Sequence, residues 1–96
     1  MVAALSAPID TDTGAKVNMQ NVIAIQRPNV GDTIIEADSN NGLEEQTPRQ
    51  KTQISNATFI HNGAEQDQAI RIRGGTDFAI VNSVLVDATG GTPCLP

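Results

Sequence analysis

The chain has 96 residues, 39% of them hydrophobic, with no Trp or Tyr, two Phe, one Cys and a formal net charge of −5. That size confines it to one domain without a deep interdomain cleft, and six basic against eleven acidic residues exclude a nucleic-acid backbone as partner, which needs clustered Lys and Arg. No run approaches eighteen apolar residues, so no transmembrane segment is expected; Met1–Pro8 is itself too short and mixed for a secretory signal, and a leader upstream of it stays open.

The apolar palette of Ile, Val, Leu and Ala suits strands, because β-branched side chains pack well on a pleated surface. In chain order, Val2–Pro8 is expected to be the tail of an earlier coil and Asp10–Gly14 a turn. Met19-Gln20-Asn21-Val22-Ile23-Ala24-Ile25 then opens a pattern that returns at Ile54-Ser55-Asn56-Ala57-Thr58-Phe59-Ile60 and at Ile80-Val81-Asn82-Ser83-Val84-Leu85-Val86. Each copy runs apolar, polar or small, Asn, small or apolar, any, apolar, apolar. The asparagines lie 35 residues apart (Asn21 to Asn56) and then 26 (Asn56 to Asn82), each the span of one supersecondary unit.

A second strip follows each asparagine. Asp32–Glu36 begins eleven residues after Asn21, Gln68–Ile72 twelve after Asn56, and Thr92–Leu95 ten after Asn82. Alternation in Ala69-Ile70-Arg71-Ile72-Arg73 puts the isoleucines on one strand face and the arginines on the other. Matching the strips sets Cys94 with Ile34 and Ile70 in an inward apolar stack and gives Glu36 and Ile72 comparable places. Between the first two units, Ala37–Gln50 (ADSNNGLEEQTPRQ) gathers Asn, Gly, Asp, Ser and Pro, so it is expected to be a surface excursion adding about nine residues to one coil. Pro28-Asn29, Asn62-Gly63, Gly74-Gly75 and Gly90-Gly91 are expected turns.

Short strands and turns in units of this length, with one Asn recurring at an equivalent corner from Met19 to Leu95, resemble the right-handed parallel β-helix of the pectin-lyase-like type. At such a corner one residue must take a left-handed backbone, which Asn tolerates. The resemblance implies that Asn21, Asn56 and Asn82 stack as a buried amide ladder beside an inward column of Met19, Ile54 and Ile80. The fold expected is all-β, a parallel β-helix solenoid of about three to four coils. Residues 1–96 are expected to form a single β-solenoid segment of a larger β-helix domain, since the third unit stops at Leu95-Pro96 without a capping element.

Lyases and hydrolases built on this fold need acids converging from adjacent coils, with calcium or with a general acid and base, usually beside an Arg or Lys. The nearest material is Glu36, Glu65, Asp67, Arg71 and Arg73, and a solvated charge pair between Glu36 and Arg71 or Arg73 on the outer face is the expected outcome. Asp10-Thr11-Asp12-Thr13-Gly14 lacks the third oxygen ligand and closing Glu of a calcium loop, so an acidic turn is expected around Asp10 and Asp12. Glu44 and Glu45 suit a loop tip. His61 has no triad or metal partner at a recognisable spacing and is expected as exposed filler before a turn. Cys94 lacks a basic neighbour to activate it, and as a lone cysteine it forms no internal disulfide. The sequon Asn56-Ala57-Thr58 is discounted because a buried ladder amide cannot carry a glycan, and the threonines form no regular ice-binding register.

No catalytic, cofactor-binding or metal residues are therefore expected, and no cofactor. The expected function is a noncatalytic extracellular or cell-surface solenoid segment, a structural spacer or binding surface. A fragment of a carbohydrate-active enzyme whose catalytic coils lie elsewhere and a self-assembling filament or oligomer module are the alternatives. The expected partners are another copy or the remainder of a larger protein, with carbohydrate as the candidate ligand class. The location rests on the resemblance alone.

Overall fold

The computed structural model describes residues 8–27, 33–62 and 68–87, and all regular structure in them is strand. The strands are β1 (Ile9–Thr11), β2 (Lys16–Gln20), β3 (Ile23–Ile25), β4 (Ile35–Asp38), β5 (Lys51–Ser55), β6 (Thr58–His61), β7 (Ile70–Arg73), β8 (Asp77–Val81) and β9 (Val84–Asp87). Each pairs only with the strand three places away, always in parallel, in three sheets ordered β1-β4-β7, β2-β5-β8 and β3-β6-β9. Parallel neighbours need a long crossover, and here the crossover is the rest of the coil. The architecture is a parallel β-helix.

The corner between the second and third sheets is made by the recurring asparagines, all in the left-handed region, with φ of 58° at Asn21, 55° at Asn56 and 48° at Asn82. Side chains alternate across each strand, so inward residues stack from coil to coil. Met19, Ile54 and Ile80 share one register, as do Ala24, Phe59 and Leu85, and Ile9, Ile35 and Ile70. Ile35, Ile54 and Phe59, each covered by a coil above and below, are 0–1% exposed. Each such side chain contributes about 1.5–3 kcal/mol of burial free energy. Met19, Ile9, Ile72, Phe78, Ile80 and Leu85, in the outer coils, pack against this core but stay partly uncovered.

Several expectations are corrected. The second strips pair one residue away from the expected match: Ile35, not Ile34, lies beside Ile70, and Glu36 lies beside Arg71 while Ala37 faces Ile72. Thr33, Ile34 and Ile35 are all buried, so the run turns a corner inside the core and its apolar pattern does not mark which Ile begins the strand. Asp10 and Thr11 belong to β1 rather than to a turn, which is confined to Thr13-Gly14. The excursion is shorter at both ends than Ala37–Gln50. Ala37 and Asp38 complete β4, and Ser39 and Gln50 are buried.

Gln50 joins a polar cluster inside the coil, where its Nε2 donates to Thr52 Oγ1 at 2.7 Å and to Thr11 Oγ1. Its backbone N–H donates to Ser39 Oγ at 3.2 Å. His61 is 2% exposed rather than solvent-facing, because it is the next inward position after Phe59 in β6. The three corner asparagines are exposed, not buried. Two of them are joined by a hydrogen bond from Asn82 Nδ2 to Asn56 Oδ1. With Asn56 exposed, the ground for discounting its sequon falls away. Glu65, Asp67 and the strip containing Cys94 lie outside the described residues.

Candidate functional site: a charged outer sheet face

On the β1-β4-β7 sheet the inward positions are taken by Ile9, Thr11, Ile35, Ala37, Ile70 and Ile72, so the intervening residues project outward. Asp10, Glu36 and Arg71 form one outward column and Asp38 and Arg73 part of the next. Arg73 spans both. Its Nη2 lies 2.6 Å from Glu36 Oε1 and its Nε lies 2.5 Å from Asp38 Oδ1, while Arg71 Nη1 is 3.7 Å from Glu36 Oε1. The side chains of Glu36, Asp38 and Arg71 are 14–18% exposed, so these pairs are partly desolvated and stronger than freely solvated ones.

Two carboxyls on this face hold their protons above the ordinary range. Burial raises Glu36 most; Asp38 and Asp10 add to the rise, and Arg73 and Arg71 oppose it. For Asp10 the causes are burial, then Asp12 and Asp38, with Arg73 opposing. Desolvation therefore outweighs even a guanidinium in direct contact with Glu36.

The expected proximity of Glu36 to Arg71 and Arg73 is met. Asp10 and Asp38 were not anticipated on this face, because one was assigned to a turn and the other to the excursion. The alternation Ile9-Asp10-Thr11 and Ile35-Glu36-Ala37-Asp38 is the signal that places them. Among the described residues no group of three or more His, Cys, Asp or Glu is arranged to hold a metal ion, and no helix is long and apolar enough to cross a membrane.

The other two outer faces have different chemistry. A shallow groove on the β2-β5-β8 sheet is bordered by Asn18, Gln20, Gln53, Ser55, Ala79 and Val81, a set rich in amide donors and acceptors. The β3-β6-β9 sheet exposes Ile23 and Ile25 on β3 and Val84 and Val86 on β9, with β6 between them.

No curated protein and no solved structure gives a significant match to the chain. A family model described as "Pectate-lyase like beta helix domain" matches residues 3–94, which is nearly the whole sequence and includes every strand of the three parallel sheets. The chain belongs to the pectate-lyase like beta helix domain family.

Proposed function

We propose that the chain is a noncatalytic β-solenoid segment of a larger bacterial or phage protein, extracellular or at the cell surface, where it serves as a spacer or binding surface. The three corner asparagines supply the left-handed bend that each of its coils repeats. The observation that carries this reading is the closure of the charged face by its own arginines: Arg73 grips both Glu36 and Asp38, and Arg71 stands beside Glu36. Both guanidinium groups of β7 converge on Glu36 Oε1, so that oxygen is already engaged, and arginines so held are poorly placed to receive a substrate carboxylate. The face is stabilised as it stands.

The test is incubation of the chain with acidic and neutral polysaccharides, following unsaturated uronate products and new reducing ends, with Glu36→Gln as control. No product above buffer is expected. Turnover that disappears in Glu36→Gln would overturn the proposal.

The second reading, a fragment of a carbohydrate-active enzyme, is favoured by Asp10 and Glu36 standing side by side on adjacent coils with raised pKa values. On that reading one of these two carboxyls, its pKa raised by burial, would serve as general acid, with the remaining machinery on other coils. Binding of oligosaccharides by the amide-lined groove fits either reading.

A further inference from the structure

We infer that the outer face of the β2-β5-β8 sheet is a binding site for a short stretch of uncharged glycan, held by hydroxyl contacts to three carboxamides and by ring C–H contacts to two aliphatic side chains. The inference rests on the binding-surface side of the reading above and gives that surface a place and a ligand class. The residues that join these strands to the rest of their coils, 12–15, 21–22, 39–50, 56–57, 74–76 and 82–83, are all described, so both borders of this face are defined.

The strand register lays the chemistry out in order. Asn18 lies beside Gln53 and Gln53 beside Ala79; two residues along, Gln20 lies beside Ser55 and Ser55 beside Val81. These positions alternate with the inward column of Met19, Ile54 and Ile80, so all six project outward and border the groove. With strands about 4.8 Å apart and alternate residues about 6.6 Å apart, the patch measures roughly 7 by 10 Å, the area of about two sugar rings. Elsewhere the chain ties its carboxamides to itself: Asn40 holds the N–H groups of Gly42 and Leu43, Gln50 donates to Thr52, Asn62 to the Gln26 carbonyl and Asn82 to Asn56. The carboxamides of Asn18, Gln20 and Gln53 are exposed and, like the Ser55 hydroxyl, have no hydrogen-bond partner among the described residues. Their donors and acceptors stay open to a ligand.

A carboxamide presents two N–H donors and an acceptor oxygen in one plane, a set that matches neighbouring hydroxyls, each of which donates and accepts. No residue bordering the groove is charged, so an ionic group there would give up hydration without gaining a counter-charge. Ala79 and Val81, the latter 58% exposed, add an apolar strip on the third strand. The C–H face of a sugar ring covers that strip while its hydroxyl edge reaches β2 and β5. Charges stand only at the rim, one alternate position earlier, as Lys16, Lys51 and Asp77. Asp77 is held by Arg49, with Nη2 to Oδ1 at 3.1 Å, and Lys16 Nζ donates to the Arg49 carbonyl, which leaves Lys51 as the cation an acidic ligand would reach. Open to solvent and without an aromatic ring to stack on, the site should bind in the millimolar range.

The experiment is titration of the isotope-labelled chain with cellotetraose, maltotetraose and mannotetraose, and with tetragalacturonate as the charged comparison, following the side-chain amide signals of Asn18, Gln20 and Gln53 by NMR. At least one neutral sugar should shift these signals saturably, and tetragalacturonate should bind there at least roughly tenfold more weakly. Gln53→Val, at an exposed strand position where the melting temperature should not fall, should weaken binding by roughly fivefold, the loss of one net hydrogen bond. Ile23→Thr, on another face, should leave it unchanged.

Absence of saturable shifts with all three neutral sugars at tens of millimolar overturns the inference, and so does binding unchanged in Gln53→Val. Tetragalacturonate held at these residues as tightly as the neutral sugars overturns it too, because charge at Lys51 would then be the recognition element. Product formation is read in the separate polysaccharide assay: failure here leaves the chain a noncatalytic spacer, and turnover there leaves this site standing.

Discussion

At the scale of single residues, the corner asparagines show how little side-chain chemistry a fold position can require. Their φ values of 48–58° lie where a Cβ crowds the following carbonyl, at a cost of roughly 1–2 kcal/mol for an ordinary L-residue. Because Asn56 is exposed, its replacement leaves no buried amide unpaired. Asn56→Gly should be nearly neutral, while Asn56→Leu should lose about 1–2 kcal/mol in urea unfolding. Equal losses in both would mean that the hydrogen bond with Asn82, rather than the backbone, carries the position.

Asp10 gives a second test at this scale. Its carboxyl binds its proton more tightly in the folded chain than in the unfolded one, so protonation favours folding. That contribution is complete below the ordinary carboxylate range, near pH ~4, and fades as pH rises through the higher folded value. Asp10→Asn should therefore melt close to wild type at the acidic end and increasingly above it toward neutrality. A variant that loses ground as pH rises would contradict a carboxyl raised by burial and by its neighbours Asp12 and Asp38.

At the scale of elements, the excursion is a folded strap rather than a loose loop. Asn40 Oδ1 accepts from the N–H groups of Gly42 at 2.9 Å and Leu43 at 3.2 Å, and the Asn40 N–H donates to the Gly74 carbonyl at 2.8 Å. The strap thus lies against the tight turn of the next coil. A Cβ on Gly75 would stand 2.1 Å from the Glu44 carbonyl oxygen, and the φ of 75° there is itself left-handed. Gly75→Ala should cost about 2–3 kcal/mol, from backbone strain plus overpacking.

Residues 41–49 can be removed while keeping the buried Ser39 and Gln50, leaving a connection as short as the one between β7 and β8. The shortened chain should still unfold cooperatively, because closure entropy depends only weakly on loop length. In that background Gly75→Ala should cost only the strain of its backbone, about 1 kcal/mol. A full penalty in the shortened chain would show that the close approach of Glu44 is not its cause.

At the scale of the molecule, stability comes from side chains sandwiched between coils, and among the described residues the middle coil is the one with a strand on both sides in every sheet. Among the described residues the inward groups of the outer coils are only partly buried, so a coil stacked on either side of them would add to stability. Binding of a partner to the folded state alone raises apparent stability by mass action. Where that coil is a second copy, the melting temperature should climb with chain concentration over the micromolar to millimolar range. A melting temperature independent of concentration, with a single cooperative transition, would mean that no second copy stacks there.

The repeat, the parallel β-helix and the corner positions were legible in the sequence because they rest on local alternation and on one residue type suited to a left-handed bend. Met19, Ile54 and Ile80 could be aligned on that basis alone. What tertiary structure decided is everything that depends on register and on which coil lies above. Strands separated by 26 or more residues can slip by one position wherever apolar residues adjoin, as Ile34 and Ile35 do, and one position exchanges the inner and outer faces. The placement of Glu36 against Arg71, the inward turn of His61 and the exposure of the asparagines follow from that choice. Asp10 and Asp38 reached the charged face for the same reason: a two-residue alternation beside turn-forming residues acquires a direction only when a neighbouring strand covers one of its sides.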